Sequence, residues 1–267
     1  MVTNHADGWI ERYRSEGCHF PVTVMSPDEA QAHRHRLEAA EAAQGPMHYR
    51  VKPYLVLSSA NEIARHPALL DAVETVLGPD VLLWDSAYVI KEARDSRYVS
   101  WHQDLTYWGL DSDDVVTAWV ALTPATAANG GMRFVPGSHT AGRHAHRDTH
   151  AADNILHRGQ EAAVEVDDAA AVDIVLAPGE ASLHHGWVLH ASHPNPSDDR
   201  RIGLTIQYVA PSVCQTVGRG ESATLVRGRD RFHHFRAEPA FSRDFDPAAV
   251  AFQAEVEDLK HQVYDTA

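Results

Sequence analysis

Cysteine is nearly missing from this chain: Cys18 and Cys214 are the only two in 267 residues. Two distant cysteines exclude a disulfide framework and any CxxC zinc or redox pair, and fit a reducing compartment. Positive charge is also scarce, with 23 Lys and Arg against 37 Asp and Glu, giving a net charge of −14 with histidine neutral. A surface of that sign repels phosphate backbones and anionic membranes, so nucleic acid and membrane are excluded as partners and a small molecule is expected. No apolar run approaches the roughly 18 residues of a membrane span. The opening stretch MVTNHADGWIERYRSEG lacks the basic start and apolar segment of a secretory leader, so a cytoplasmic protein is expected. Internal repeats, low-complexity linkers and a clear domain boundary are absent too, and residues 1–267 are read as one domain.

What is present divides by periodicity. In SPDEAQAHRHRLEAAEAAQG, Ser26 suits an N-cap, Pro27 the first helical position and Glu29 the far side of a capping box, with Gly45 closing the helix. The stretch NEIARHPALLDAVETVLGP spaces Ile63, Leu69, Leu70, Val73, Val76 and Leu77 along one helical face, interrupted at Pro67 and stopped by Gly78 and Pro79. From Val81 the pattern changes to short segments rich in Val, Ile, Thr and aromatics, separated by turn clusters such as ANGG and HPNPSDD. Seven strands are predicted: VLLWDSAYVIK, YVSWHQD, VVTAWVALT, MRFVPGS, VDIVLAP, ASLHHGWVLHAS and RRIGLTIQYVA. That density of strands predicts a sandwich or barrel. A final helix is predicted from DPAAVAFQAEVEDLKHQ, with Asp246 as N-cap and Pro247 at the first position. The resulting division is a helical part over about 1–80, a strand-rich core over about 81–213, and a C-terminal loop and helix over 214–267.

One strand sorts by face. In RRIGLTIQY, Ile202, Leu204 and Ile206 fall on one side, and Arg201, Gly203, Thr205 and Gln207 on the other. With the apolar side under the N-terminal helices, the polar side lines an interior cavity of the kind a small barrel offers a ligand.

The segment SWHQDLTYWGL places His102 and Asp104 two apart among aromatics. In a strand such a pair shares a face, so both side chains converge on one point. A third donor completes the arrangement of two histidines and one carboxylate that holds non-haem Fe(II) with positions left open. His190 in WVLHASHPN is the best candidate, with Ser192 on its face and a turn after it. Arg201 follows eleven residues later, and a strand, turn and strand carry its planar fork back beside the metal, where it suits a carboxylate.

The fuller pattern, WHQD, then AWVALTPATAANGGMRFVPGSH, then LHASHPNPSDDRR, resembles the phytanoyl-CoA dioxygenase family of Fe(II)- and 2-oxoglutarate-dependent oxygenases over roughly Trp84 to Val213. The resemblance implies a double-stranded β-helix, a jelly roll or cupin-like barrel, with helices packed on its larger sheet. It implies that His102, Asp104 and His190 are the metal ligands. It assigns Arg201 to the distal carboxylate of 2-oxoglutarate, and Ser192 and Trp119 to positions beside that co-substrate. Arg200 competes with Arg201, but only Arg201 shares strand parity with Gly203 and Thr205. The implied cofactors are Fe(II), 2-oxoglutarate and O2, and the implied reaction hydroxylates an unactivated carbon of a small metabolite while releasing succinate and CO2. An amino-acid-like, phosphonate or natural-product substrate is expected. Desaturation, cyclisation or epoxidation are alternative outcomes of the same oxidation, and a non-catalytic jelly roll holding zinc is the alternative outside enzymes. Halogenating relatives carry a small residue where Asp104 stands, so Asp104 favours hydroxylation.

Other features have plain readings beside functional ones. His184 and His185 are read as structural histidines, with His184 near the metal only if its strand runs unbroken past Gly186. The tract holding His139, His144, His146, His150 and His157 is read as a long exposed loop, with a lid as the functional alternative. Tyr107 and Trp108 suit a core or a substrate wall equally. Arg219, Arg227, Arg229, Arg231 and Arg236 are read as a solvated segment, the alternative being contact with an anionic substrate group. Gly130 and Gly131 fit a hairpin turn, not a phosphate cradle, because no helix starts after them.

Overall fold

A computed structural model describes residues 5–156, 158–217 and 220–266. The N-terminal layer consists of α1 (His5–Glu16), β1 (Cys18–Thr23), α2 (Pro27–Gln44), α3 (Ser58–Ala64) and α4 (Pro67–Leu77). The α2 start forms as the sequence predicts: Glu29 N donates to Ser26 Oγ at 3.2 Å while Ser26 N donates to Glu29 Oε2 at 2.8 Å. Proline divides the next apolar stretch into α3 and α4, with Pro67 at the first position of α4.

Two sheets follow. Strands β2 (Val81–Lys91), β3 (Val99–His102), β4 (Val115–Ala121), β5 (Met132–Phe134), β6 (His146–Asp148), β7 (Gln160–Ala162) and β8 (Val172–Asp173) precede β9 (Glu180–His185), β10 (His190–Ser192), β11 (Arg201–Val209), β12 (Ser222–Arg227) and β13 (Arg236–Ala237). The larger sheet has the order β1-β9-β4-β11-β2-β12-β13, the smaller β3-β10-β5-β8, and β6 pairs with β7. This is the jelly roll that the sequence implied, and the cavity lies between the sheets, lined from the larger one by Thr205 and Gln207 and from the smaller one by His102 and His190. The last helix, α5 (Pro247–Thr266), starts at Asp246, whose Oδ1 accepts from Ala248 N at 2.9 Å.

Strand β11 divides the interior as its alternation predicts. Ile202, Leu204, Ile206 and Tyr208 are fully buried in the cluster formed with Leu37, Ile63, Leu69 and Val73 of the helices. Tyr208 Oη donates to Ala64 O at 2.7 Å, tying the sheet to α3. On the opposite face, Arg201, Thr205 and Gln207 line the cavity. Gly203 faces the same way, and a Cβ there would lie 1.9 Å from the Trp119 ring, so glycine is what lets the indole lie flat on β11.

Several elements depart from the sequence reading. The stretch ASLHHGWVLHAS is not one strand: β9 belongs to the larger sheet and β10 to the smaller, with the chain crossing between them around Gly186. A strand must change sheets there for His190 to face the cavity from the opposite wall. Of VDIVLAP only Val172 and Asp173 form a strand, with Leu176 making an isolated bridge to Ala125, and β1, β6, β7, β12 and β13 form from segments with little alternation. Gly130 adopts φ 76° at the end of a short 3-10 turn, Ala127–Asn129, consistent with a turn role. No helix among the described residues is long and apolar enough to cross a membrane.

All three lysines, Lys52, Lys91 and Lys260, are buried. Lys52 Nζ reaches Glu238 Oε1 at 2.8 Å and Ser222 O at 2.6 Å, and Glu238 also accepts from Tyr54 and Thr224. A buried cation needs such compensation, since removing its partner costs roughly 3–5 kcal/mol.

Substituting Gly203→Ala forces Trp119 off the strand. The expected loss is about 1–3 kcal/mol, as for other overpacked interiors, measured as a lower urea midpoint with an unchanged slope.

Candidate active site

The smaller sheet brings the first two donors together. His190 on β10 pairs directly with His102 on β3, and their ring centroids lie 4.1 Å apart. Asp104 departs from the expected strand geometry. Strand β3 ends at His102, and Asp104 opens a 3-10 turn, Asp104–Tyr107. The turn is set by Gln103, fully buried, whose side-chain amide donates to Gly142 O at 2.8 Å and to Trp187 O at 2.7 Å. Its carbonyl oxygen accepts from His144 N at 2.8 Å, and its backbone N–H donates to His146 Nε2 at 3.1 Å. Asp104 Oδ1 thereby lies 3.3 Å from His102 Nε2 and 3.5 Å from His190 Nε2.

These three donor atoms all lie within 4.8 Å of one another, close enough for one ion to touch them all. The tautomers fit as well. His102 Nδ1 faces Ser100 O at 2.9 Å and His190 Nδ1 faces Val188 O at 3.1 Å. A carbonyl only accepts, so each Nδ1 carries the proton and each Nε2 presents a lone pair toward Asp104. Burial, reinforced by His102, pulls His190 down to about 3. Burial pushes the Asp104 carboxyl up, yet His190, His102 and His184 together hold it well below the ordinary carboxylate range. Neutral imidazole and ionised carboxylate are the protonation states that bind a metal.

Asp104 has further support from the larger sheet. Thr117 Oγ1 donates to its Oδ2 at 3.2 Å, and His184 Nε2 lies 3.4 Å from the same oxygen. His184 is therefore not the satisfied structural histidine that the sequence suggested: it reaches the site from β9, and its buried Nδ1 has no hydrogen-bond partner among the described residues. Thr117 went unnoticed in the sequence, although it shares strand parity with Trp119.

Arg201 lies at the start of β11, 2% exposed, with its guanidinium carbon 5.2 Å from the centre of the Trp119 ring. Nη1 donates to Val89 O at 3.2 Å, and among the described residues Nε has no partner and no carboxylate pairs with the guanidinium. Burial pulls this guanidinium down to about 10, as expected of a buried cation without a counter-ion. Arg200 instead points outward, pairing with Glu41 at 2.8 Å and Glu92 at 2.9 Å. Ser192 lines the cavity, and its Oγ accepts from Lys91 Nζ at 2.6 Å. Lys91, paired in register with Arg201, is pulled down to about 6 by burial and then by Arg201.

The cavity is about 340 Å³ and joins His102, Asp104, His190, Ser192, Arg201 and Trp119 in one space. Tyr107 and Trp108 line it while also packing with Leu82, Trp84 and Val115, so core and wall are one role. The histidine-rich tract is not simply exposed. His146 stacks edge-on against Tyr107, and Ile155 and Leu156 from the same segment line the cavity. His157 lies outside the described residues, as does Arg219. Arg227 pairs with Asp71 and Arg236 with Glu255, and Arg229 and Arg231 are exposed, so none of these arginines reaches the cavity.

Comparison with known proteins identifies the family. The family model described as phytanoyl-CoA dioxygenase matches residues 13–203. A probable alpha-ketoglutarate-dependent hypophosphite dioxygenase of Stutzerimonas stutzeri is 28% identical over 182 residues, 66% of this chain and 63% of the relative. An L-proline trans-4-hydroxylase of Streptomyces griseoviridis is 26% identical over 76% of this chain and 82% of its own. Among solved structures, the non-heme monooxygenase ThoJ in its apo form is 38% identical, covering 96% of this chain and 97% of that one, with a TM-score of 0.85. A nickel complex of ThoJ has also been solved.

Thr117→Val removes a donor from Asp104 without changing side-chain volume much. It is expected to weaken Fe(II) binding about 10–100-fold, the usual effect of losing a partner behind a metal ligand, measured by anaerobic metal titration.

Proposed function

The chain belongs to the phytanoyl-CoA dioxygenase family of Fe(II)- and 2-oxoglutarate-dependent oxygenases, and from that premise we propose that it hydroxylates an unactivated carbon of a small metabolite, releasing succinate and CO2. The observation that carries this reading is a buried arginine without a carboxylate partner, in the same cavity as two imidazoles and a carboxylate that converge on one point.

His102, Asp104 and His190 would hold Fe(II), and Arg201 would take the distal carboxylate of 2-oxoglutarate. The metal with its keto-acid supplies oxidative decarboxylation coupled to O2 activation when bound. The chain's share is placement and exclusion. Arg201 supplies a planar fork in a buried setting, where a charge-assisted pair with a carboxylate is strong. Trp119, flat on Gly203, covers one side of that guanidinium and keeps water from it. Ser192 Oγ, anchored by Lys91, offers a fixed hydroxyl next to His190. Asp104 fills the carboxylate position, which favours hydroxylation. Three donors among the described residues, not four, also speak against a closed structural zinc site. The same reading treats the helical layer, the barrel and α5 as one catalytic domain.

Adding Fe(II) and then 2-oxoglutarate without oxygen should produce the visible charge-transfer band of a chelated keto-acid. Asp104→Ala and His190→Ala should lose it, and a band that survives in both would remove these residues from the metal site. Arg201→Ala should keep metal binding while raising the 2-oxoglutarate requirement by the equivalent of about 2–5 kcal/mol, read from titrations of the same band.

A further inference from the structure

Cavity-facing residues of the larger sheet form rows across its strands. Gln207 on β11 pairs in register with Asp85 on β2 and with Thr117 on β4, and Thr117 pairs with His184 on β9. The row therefore runs from the partners of Asp104 to a second carboxylate. At a strand spacing of ~4.8 Å, Asp85 lies about 10 Å from Thr117.

Asp85 is 8% exposed and lines the cavity. Its Oδ2 meets the ammonium of Lys260 from α5, while its Oδ1 is buried and has no hydrogen-bond partner among the described residues. Glu257, one helical turn before Lys260, also lines the cavity, and no ion pair forms to it among the described residues. Tyr107 adds a buried hydroxyl with no partner among the described residues on the same lining. A pairing of α5 with the sheet accounts for Lys260 and one oxygen of Asp85. It leaves the other oxygen, Glu257 and the Tyr107 hydroxyl unexplained.

Charge along the cavity is uneven. Arg201 lies at one end of β11 with Lys91 opposite it, and Gln207 is six residues along the strand. Beside Gln207 the lining carries two carboxylates, Asp85 and Glu257, against one ammonium, Lys260. A buried carboxylate oxygen without a donor is costly, and a ligand that brings a donor there recovers that cost.

We propose that the substrate of this oxygenase carries a basic nitrogen, protonated in the complex, which Asp85 and Glu257 receive. The inference rests on the oxygenase reading and names its substrate class. A buried carboxylate favours an ammonium over an alcohol of the same shape. Lys260 in this arrangement holds the cation site in the empty enzyme and competes with the incoming nitrogen for Asp85.

The test uses three probes of one shape: cyclohexylmethylammonium, cyclohexylmethanol and cyclohexanecarboxylate. Each is titrated into the anaerobic Fe(II)/2-oxoglutarate protein, with binding read by tryptophan fluorescence and the charge-transfer band recorded separately. The ammonium is expected to bind about tenfold tighter than the alcohol, the difference one charge-assisted bond makes, with the carboxylate weakest. Asp85→Asn should abolish that preference, and Glu257→Gln, on the half-buried face of α5, should reduce it. Lys260→Met should tighten ammonium binding several-fold and leave the alcohol unchanged, a gain that a merely structural Lys260 would not give. Equal binding of ammonium and alcohol, no binding of the ammonium, or a preference that survives Asp85→Asn overturns the proposal. An absent charge-transfer band strikes the oxygenase reading instead, so the two failures are distinguishable.

Discussion

Alternation along β11 is the constraint on which the rest of the molecule depends. A strand paired on both sides by β2 and β4 has only two faces to offer, and successive residues must take opposite ones. Ile202, Leu204, Ile206 and Tyr208 commit one face to the helical layer, which leaves Arg201, Gly203, Thr205 and Gln207 facing inward. A shift of register by one residue would bury the arginine among α3 and α4 and turn four apolar side chains into the cavity. Helix packing and the chemistry of the cavity are thus one choice made twice.

The interior that results holds charge at several places, and each is handled differently. Lys52 meets Ser222 and Glu238, whose carboxylate is held in turn by the hydroxyls of Tyr54 and Thr224, and reads as structure. Lys91 is fixed by Ser192 and the His193 carbonyl, and burial beside Arg201 pulls it down to about 6, toward the neutral amine. Arg201 lacks one altogether among the described residues. The contrast separates a charge that the fold itself neutralises, Lys52, from one that the described residues leave without an anion, Arg201. Asp104 shows the same logic with the sign reversed, since two imidazole nitrogens, Thr117 and His184 all turn toward its two oxygens.

Support for the site comes from both sheets and from the loops between them. His102 and His190 belong to the smaller sheet, Thr117 and His184 to the larger, and Gln103 fastens the turn that aims Asp104 by bonding to Gly142, His144, His146 and Trp187. A tract that reads as a polar loop is therefore part of the machinery that positions a carboxylate. Ile155 and Leu156, further along it, close one side of the cavity.

Local pattern in the sequence determined the two-faced β11, the capped start of α2, the division at Pro67, the H-x-D pair, its distant histidine and the parity that separates Arg201 from Arg200. Each of these rests on neighbours within a strand or a helical turn, where spacing alone dictates direction. Only the tertiary structure decided that ASLHHGWVLHAS changes sheets at Gly186, that His184 reaches Asp104, that Gln103 orders the histidine-rich tract, and that Lys260 meets Asp85. Those contacts join residues 41 to 175 positions apart, and nothing in either local segment encodes its partner. Meeting there depends on how two sheets curl and where a terminal helix packs, which is set by burial summed over the whole chain.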